Sequence, residues 1–175
     1  MTPSSRDGLH VGRTFMEAWI HPGRNRCNWG HRRTITAWGL RRTAEDELSV
    51  NVSQRYRFNT AQMLRGTLRI DGFASARAGY ARGGLVTTPL SCEGRRLVLN
   101  IETGAGGSVR VGMQAEPGAP LSGFELADGQ GLYGDATAEP SGWKSGSDLS
   151  ALAGRRMGIR FALTDCDLYS YRFAP

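Results

Sequence analysis

Apolar and polar residues alternate at a period of two through most of this chain, most cleanly near its end. Ile159, Phe161 and Leu163 alternate with Arg160 and Ala162, the pattern of a strand with one buried face. Residues 165–167 read as a turn, and residues 168–173 return as a second strand rich in aromatic side chains, which suit a pleated, half-buried surface. Just upstream, Asp148 and Ser150 begin a tight helical turn, Leu149 and Leu152 form its apolar side, and Gly154 stands where a positive φ would end it. Earlier segments at residues 73–76, 85–90, 95–102 and 108–115 also fit strands. Leu97, Leu99 and Ile101 fall on one face, as do Val109, Val111 and Met113. Gly83-Gly84, Glu93-Gly94 and residues 104–107 separate these segments, and the last of them reads as a hairpin turn. Residues 116–118 form a tight turn, Phe124 and Leu126 start an edge segment, and residues 128–135 are a Gly-rich loop. Short strands with regular Gly turns predict an all-β fold, an antiparallel β-sandwich of the jelly-roll or concanavalin-like kind.

The first part of the chain carries the same rhythm in a smaller unit. Arg6-Asp7-Gly8 has hairpin-turn chemistry, and residues 15–20 read as a short strand. Residues 35–41 and 47–55 predict two antiparallel strands around the acidic turn at 44–46, with Leu48, Val50 and Val52 on one face. Leu64, Thr67, Leu68 and Ile70 predict a further strand. The order strand, long loop, strand, turn, strand, connection, strand is that of one propeller blade, and a single blade does not bury both faces alone. Charge and texture change after Gly72, so two parts are expected, a blade-like unit over residues 1–71 and a sandwich over residues 72–175.

Charge sharpens that division. The chain has a formal net charge of +6. Residues 1–70 hold 12 Arg against 5 acidic residues, giving +7, while residues 71–175 hold 10 basic against 11 acidic residues, giving −1. Arg24, Arg26, Arg32, Arg33, Arg41 and Arg42 could contact an anionic polymer. Nucleic-acid recognition needs a basic face with elements placed to read it, and nucleic acid is not an expected partner. No membrane contact is expected either, because no run approaches the ~18 apolar residues of a span. The polar start lacks the apolar core of an export signal, and the compartment is left open. Cys27, Cys92 and Cys166 are widely spaced and odd in number, so free thiols are expected.

Candidate chemistry gathers in two places. Glu17 lies among Phe15, Met16, Trp19 and Ile20, so its carboxylate either pairs with one of the arginines or faces a solvent-filled site. Residues 21–34 form a loop in which His21, Asn28, Trp29 and His31 accompany Arg24, Arg26, Arg32 and Arg33. Stacking on Trp and hydrogen bonding to Arg or His is what a sugar or anionic ligand requires; the alternative is that Trp29 plugs a core. Trp38, on the following strand, joins Asn28, Trp29, His31 and Arg32 as a candidate substrate contact. No G-x-S-x-G, H-E-x-x-H, P-loop or strand-borne G-x-G-x-x-G occurs, so nucleophile, zinc and nucleotide chemistry lack their usual anchors. No cofactor is expected beyond a candidate Ca²⁺ loop between Asp128 and Asp135. Glycoside hydrolysis needs two carboxyl groups across one bond, and before residue 71 Glu17 is the one candidate outside turns.

The strings D-G-L-H-V-G-R-T-F-M-E-A-W-I-H-P-G at residues 7–23, N-W-G-H-R at 28–32, L-R-I-D-G-F-A-S at 68–75, W-K-S-G-S-D-L-S-A-L-A-G at 143–154 and I-R-F-A-L-T-D-C-D-L-Y-S at 159–170 carry a resemblance. They resemble the C-terminal part of uncharacterised bacterial proteins related to glycoside hydrolases of the invertase and fructosidase type. In that family a five-bladed β-propeller precedes a β-sandwich. The resemblance implies that residues 1 to about 70 are the last blade and that the other blades, with their acidic residues, lie on further chain or a partner chain. A non-catalytic accessory piece that supports a propeller or contacts carbohydrate is the expected function. The alternatives are a self-contained glycosidase-like enzyme using Glu17 and His31, and a basic module for anionic polymers.

Overall fold

The protein is seen in a computed structural model that describes residues 2–5, 7–15, 18–30, 34–115 and 118–175. The described residues contain no α-helix, only strands, turns and two single-turn 3₁₀ helices, Arg26–Asn28 and Ser150–Leu152. Every pairing is antiparallel, so the chain is an all-β protein. It divides into two compact units, Met1–Ala74 and Ser75–Pro175.

In the first unit β1 (Thr2–Ser4) and β2 (Gly12–Phe15) form a two-stranded sheet. Asp7 shapes the bend between them, because its carboxylate accepts the backbone N–H groups of Leu9 and His10. The strand expected over residues 15–20 therefore lies earlier, and Ala18, Trp19 and Ile20 are not strand. A second sheet is centred on β5 (Glu47–Gln54), with β3 (Ile35–Thr36) and β4 (Arg41–Arg42) along one edge and β6 (Gln62–Arg69) along the other. Residues 35–41 are thus not one strand but two short ones, parted by the bend at Trp38. Leu48, Val50 and Val52 stand opposite Leu68, Gly66 and Leu64, which puts the apolar residues on one face. Val50 and Val52 are each 6% exposed, and they are the buried apolar side chains of this unit among the described residues.

The second unit is built on one very long strand pair. β10 (Arg96–Gln114) and β12 (Arg156–Ala174) pair from Arg96↔Ala174 to Gln114↔Gly158. Strand β11 (Asp135–Pro140) adds to the outer edge of β10, while β7 (Ala76–Ala78), β8 (Gly83–Val86) and β9 (Leu90–Ser91) add to β12. Two expected reversals are absent. Residues 104–107 do not make a hairpin and residues 165–167 do not make a turn; both lie inside continuous strands.

The physical reason is a shared corner. Thr103 pairs with Cys166 and Ser108 with Thr164, so four residues bulge against Asp165 alone. Asp165 takes a positive φ of 41° there. A Cβ on Gly107 would lie 2.1 Å from the Asp165 carbonyl oxygen, so only glycine allows that approach. Leu97, Leu99 and Ile101 before the corner and Val109, Val111 and Met113 after it share one buried cluster with Ile159, Phe161 and Leu163. The bent sheet therefore closes over a single core, as a sandwich does. Each fully buried Leu, Ile or Phe contributes roughly 1.5–3 kcal/mol. Trp143, 1% exposed, is a core residue whose indole N–H donates to the Val111 carbonyl at 3.0 Å and whose ring meets Phe124 edge-on. The terminal helical turn is as its residues dictate: Leu149 and Leu152 are buried, Asp148 accepts the Ser150 N–H, and Gly154 has φ +73°.

Candidate functional site

The loop of the first unit is held by its own side-chain amides. Asn25 accepts the Cys27 N–H at 3.0 Å and so starts the 3₁₀ turn Arg26–Asn28. Asn28 donates to the Pro22 carbonyl at 2.9 Å and accepts the backbone N–H of Arg55 at 2.8 Å. That last bond ties the loop to the far end of β5. Next to it, the Trp29 indole N–H donates to the Gly23 carbonyl at 2.8 Å while the residue stays 51% exposed. A hydrogen bond at the ring edge fixes the indole and leaves its surface available for contact.

The turn after β5 faces this loop. Arg55 and Arg57 both adopt positive φ, 55° and 72°, a conformation uncommon outside glycine, and Phe58 donates its N–H back to the Arg55 carbonyl at 3.0 Å. Tyr56 and Phe58 are exposed, and an ideal Cβ on Gly30 would be 3.6 Å from the Phe58 ring. Trp29, Tyr56 and Phe58 thus belong to two segments joined through Asn28. Between the segments lies a narrow crevice lined by His21, Cys27, Asn28, Thr34, Arg55 and Tyr56, among others. Its free interior, about 10 Å³, admits one water-sized sphere and no ring. The Arg55 Nε is buried with no hydrogen-bond partner.

Of the residues singled out in the sequence, Asn28 and Trp29 are brought to this place. Trp38 is fully exposed in the bend between β3 and β4; its neighbour Ala37 bonds to Asn51, about 7–10 Å along β5 from the crevice. Glu17, His31 and Arg32 lie outside the described residues. Arg55, Tyr56 and Phe58 were not among the candidates. The signal that could have found them is the alternation Arg55-Tyr56-Arg57-Phe58, a cation-aromatic pattern at the end of a strand.

Asp7 and Glu47 of this unit have structural work. Asp7 accepts the Leu9 and His10 N–H groups and meets the His10 imidazole, and these bonds, His10 foremost, hold its carboxyl well below the ordinary range. Glu47 joins Thr43, Ser49 and Arg65 in a network on the polar face of the second sheet. The Thr43 hydroxyl, with the Arg65 guanidinium behind it, keeps the Glu47 carboxyl below its ordinary value. Glu45 and Asp46 sit exposed in the turn before β5. In the loop that offered a candidate calcium site between Asp128 and Asp135, Asp128 is paired with Lys144 at 3.0 Å. Among the described residues no group of three or more His, Cys, Asp or Glu side chains is placed to hold a metal ion. Cys92 and Cys166 are buried free thiols and Cys27 is a half-buried one; burial pushes the Cys166 thiol up. No helix among the described residues is long and apolar enough to cross a membrane.

A second exposed aromatic locus lies in the sandwich. Tyr80 and Tyr133 are both largely exposed. Their neighbours Gly79 and Gly134 bond to Asp165 and Thr103 at the corner, so the two tyrosines flank the side-chain-poor segment at 104–107.

Comparison with known proteins found no matching family, no matching curated protein and no matching solved structure.

Proposed function

We propose that this chain is a non-catalytic binding protein whose first unit contacts carbohydrate, as an accessory piece of a glycoside-hydrolase-like assembly. The observation that carries the reading is Trp29, whose indole is pinned to the Gly23 carbonyl and is nonetheless half open to solvent. An aromatic ring that is neither core nor mobile is a stacking surface for the apolar face of a sugar. Tyr56 and Phe58 widen that surface across the adjoining turn. The accessory role rests on the string resemblance at residues 7–23, 28–32, 68–75, 143–154 and 159–170, and on the sheet centred on β5, in which Met63 and Leu64 are left exposed. Function does not follow from a β-fold as such; the ring and its tether are what support the reading here.

Isothermal titration of the whole chain against a panel of neutral and acidic oligosaccharides tests the reading. At least one glycan should bind, and Trp29→Ala should weaken it at least tenfold, about 1.4 kcal/mol, with unchanged far-ultraviolet circular dichroism. Trp38→Ala should change affinity by less than about threefold, since Trp38 lies outside the loop-and-turn cluster. A folded chain that binds no member of the panel overturns the proposal.

A further inference from the structure

We infer that the crevice beside Trp29 is an anion-reading subsite, so that the carbohydrate contacted there is an acidic one bearing carboxylate or sulfate groups. This rests on the carbohydrate reading above and names its ligand class.

The central observation is the Arg55 side chain. Its Nε is buried and unpartnered among the described residues. A guanidinium meets a carboxylate side-on through Nε and one terminal nitrogen, two parallel N–H donors on one edge of a fork. The donor that such a pairing needs is therefore the one left without a partner. None of the described residues lining the crevice is Asp or Glu, so no described side chain of the lining supplies a carboxylate from within.

Backbone geometry points the same way. Arg55 is held at φ 55° although its side chain is neither Gly, Asn nor Asp, the residues that visit this region most readily. Asn28 secures it there by accepting its N–H, and the same Asn28 precedes Trp29 in the chain. Strain that persists at a surface turn is a marker of a functional constraint. The crevice is too small for a sugar ring and large enough for one oxygen atom. A ring stacked on Trp29 could extend one acidic oxygen toward Arg55, and Arg24, Arg26 and Arg57, all exposed, would raise the local concentration of such a ligand.

The test titrates the full chain with polygalacturonate and alginate oligomers and a sulfated galactan, each beside its neutral counterpart, methyl-esterified, reduced or desulfated. At least one acidic member should bind about tenfold or more tightly than its neutral partner. Arg55→Asn, which tolerates the positive φ, should bring that preference to within about twofold. Arg57→Asn removes the same charge from an exposed position of the same turn and should leave more than half of the preference. Arg55→Lys, which keeps the charge without the fork, should behave like Arg55→Asn, and it replaces that variant should Arg55→Asn fail to fold. Equal losses at Arg55 and Arg57 would mean diffuse charge attraction and overturn the subsite. Neutral glycans bound as well as every acidic one would overturn the subsite while the carbohydrate reading stands. No binding by any member would overturn both.

Discussion

A few residues in this chain have replacements whose cost is set by a single neighbour. Gly107 and Gly104 both face Asp165 across the corner of the long strand pair, but they meet different parts of it. A Cβ on Gly107 would lie 2.1 Å from a backbone carbonyl oxygen, whereas one on Gly104 would lie 1.9 Å from a carboxylate oxygen at the end of a side chain. Gly107→Ala is therefore expected to destabilise by about 3 kcal/mol or more and Gly104→Ala by about 1 kcal/mol, read from urea midpoints at constant slope. Asp148 carries a pH signature. The Ser150 hydroxyl and N–H, with Arg95 behind them, hold its carboxyl below the ordinary 3.8. A carboxyl depressed in the folded state contributes stability that is complete above the unfolded value and is lost as pH falls through the folded one. The turn at residues 148–154 should thus loosen only below about pH 4. The Ser150 amide shift, followed from about pH 5 to about pH 2, checks this, and Asp148→Asn should abolish the transition.

At the scale of elements, β10 and β12 explain what the amino-acid pattern shows and what it hides. Period-two alternation locates the inward faces of both strands, Leu97, Leu99, Ile101, Val109, Val111 and Met113 on one and Ile159, Phe161 and Leu163 on the other, and those residues are buried. The same pattern broke at residues 104–107 and 165–167, where Gly and Asp mark a change of direction. Such residues report that the backbone bends and carry no information about which strand it pairs with afterwards. Both bends meet each other in space, so one corner reads locally as two reversals. The candidate site divides in the same way. Asn28 and Trp29 were legible as polar and aromatic residues on an irregular loop. Arg55 was not, because its place follows from a hydrogen bond to Asn28, 27 residues away, which local composition does not encode. Trp143, fully surrounded between β10 and the 121–124 turn, belongs to packing. Trp143→Ala should cost about 3–5 kcal/mol, a large share of a domain's stability, visible as a lowered thermal midpoint.

For the molecule as a whole, apolar burial is divided unequally. The core of Ser75–Pro175 gathers Leu97, Leu99, Ile101, Met113, Trp143, Ile159 and Phe161, each under 2% exposed. In the first unit Val50 and Val52 are the buried apolar residues among those described, and the candidate loop sits on that lightly packed sheet. Local opening free energy follows buried contacts. Hydrogen exchange on the intact chain should therefore show amides of β5 and β6 exchanging at least about a hundredfold faster than those of β10 and β12. A bound acidic oligosaccharide should slow exchange at residues 22–30 and 54–58 and leave the sandwich unchanged.

The corner at Gly104–Gly107 also governs registration during assembly. β10 and β12 are separated by residues 115–155, so the first rung between them carries the entropic cost of closing that segment and later rungs extend it cheaply. Zipping from Gln114↔Gly158 reaches the corner after Ser108↔Thr164, and pairing resumes only beyond the bulge, at Thr103↔Cys166. A shift of one residue exchanges the two faces of a strand. The number of residues between Thr103 and Ser108 therefore decides whether Leu97, Leu99 and Ile101 enter the core or face water, and a single deletion there would miswrite half of the sheet while leaving every strand-forming residue in place.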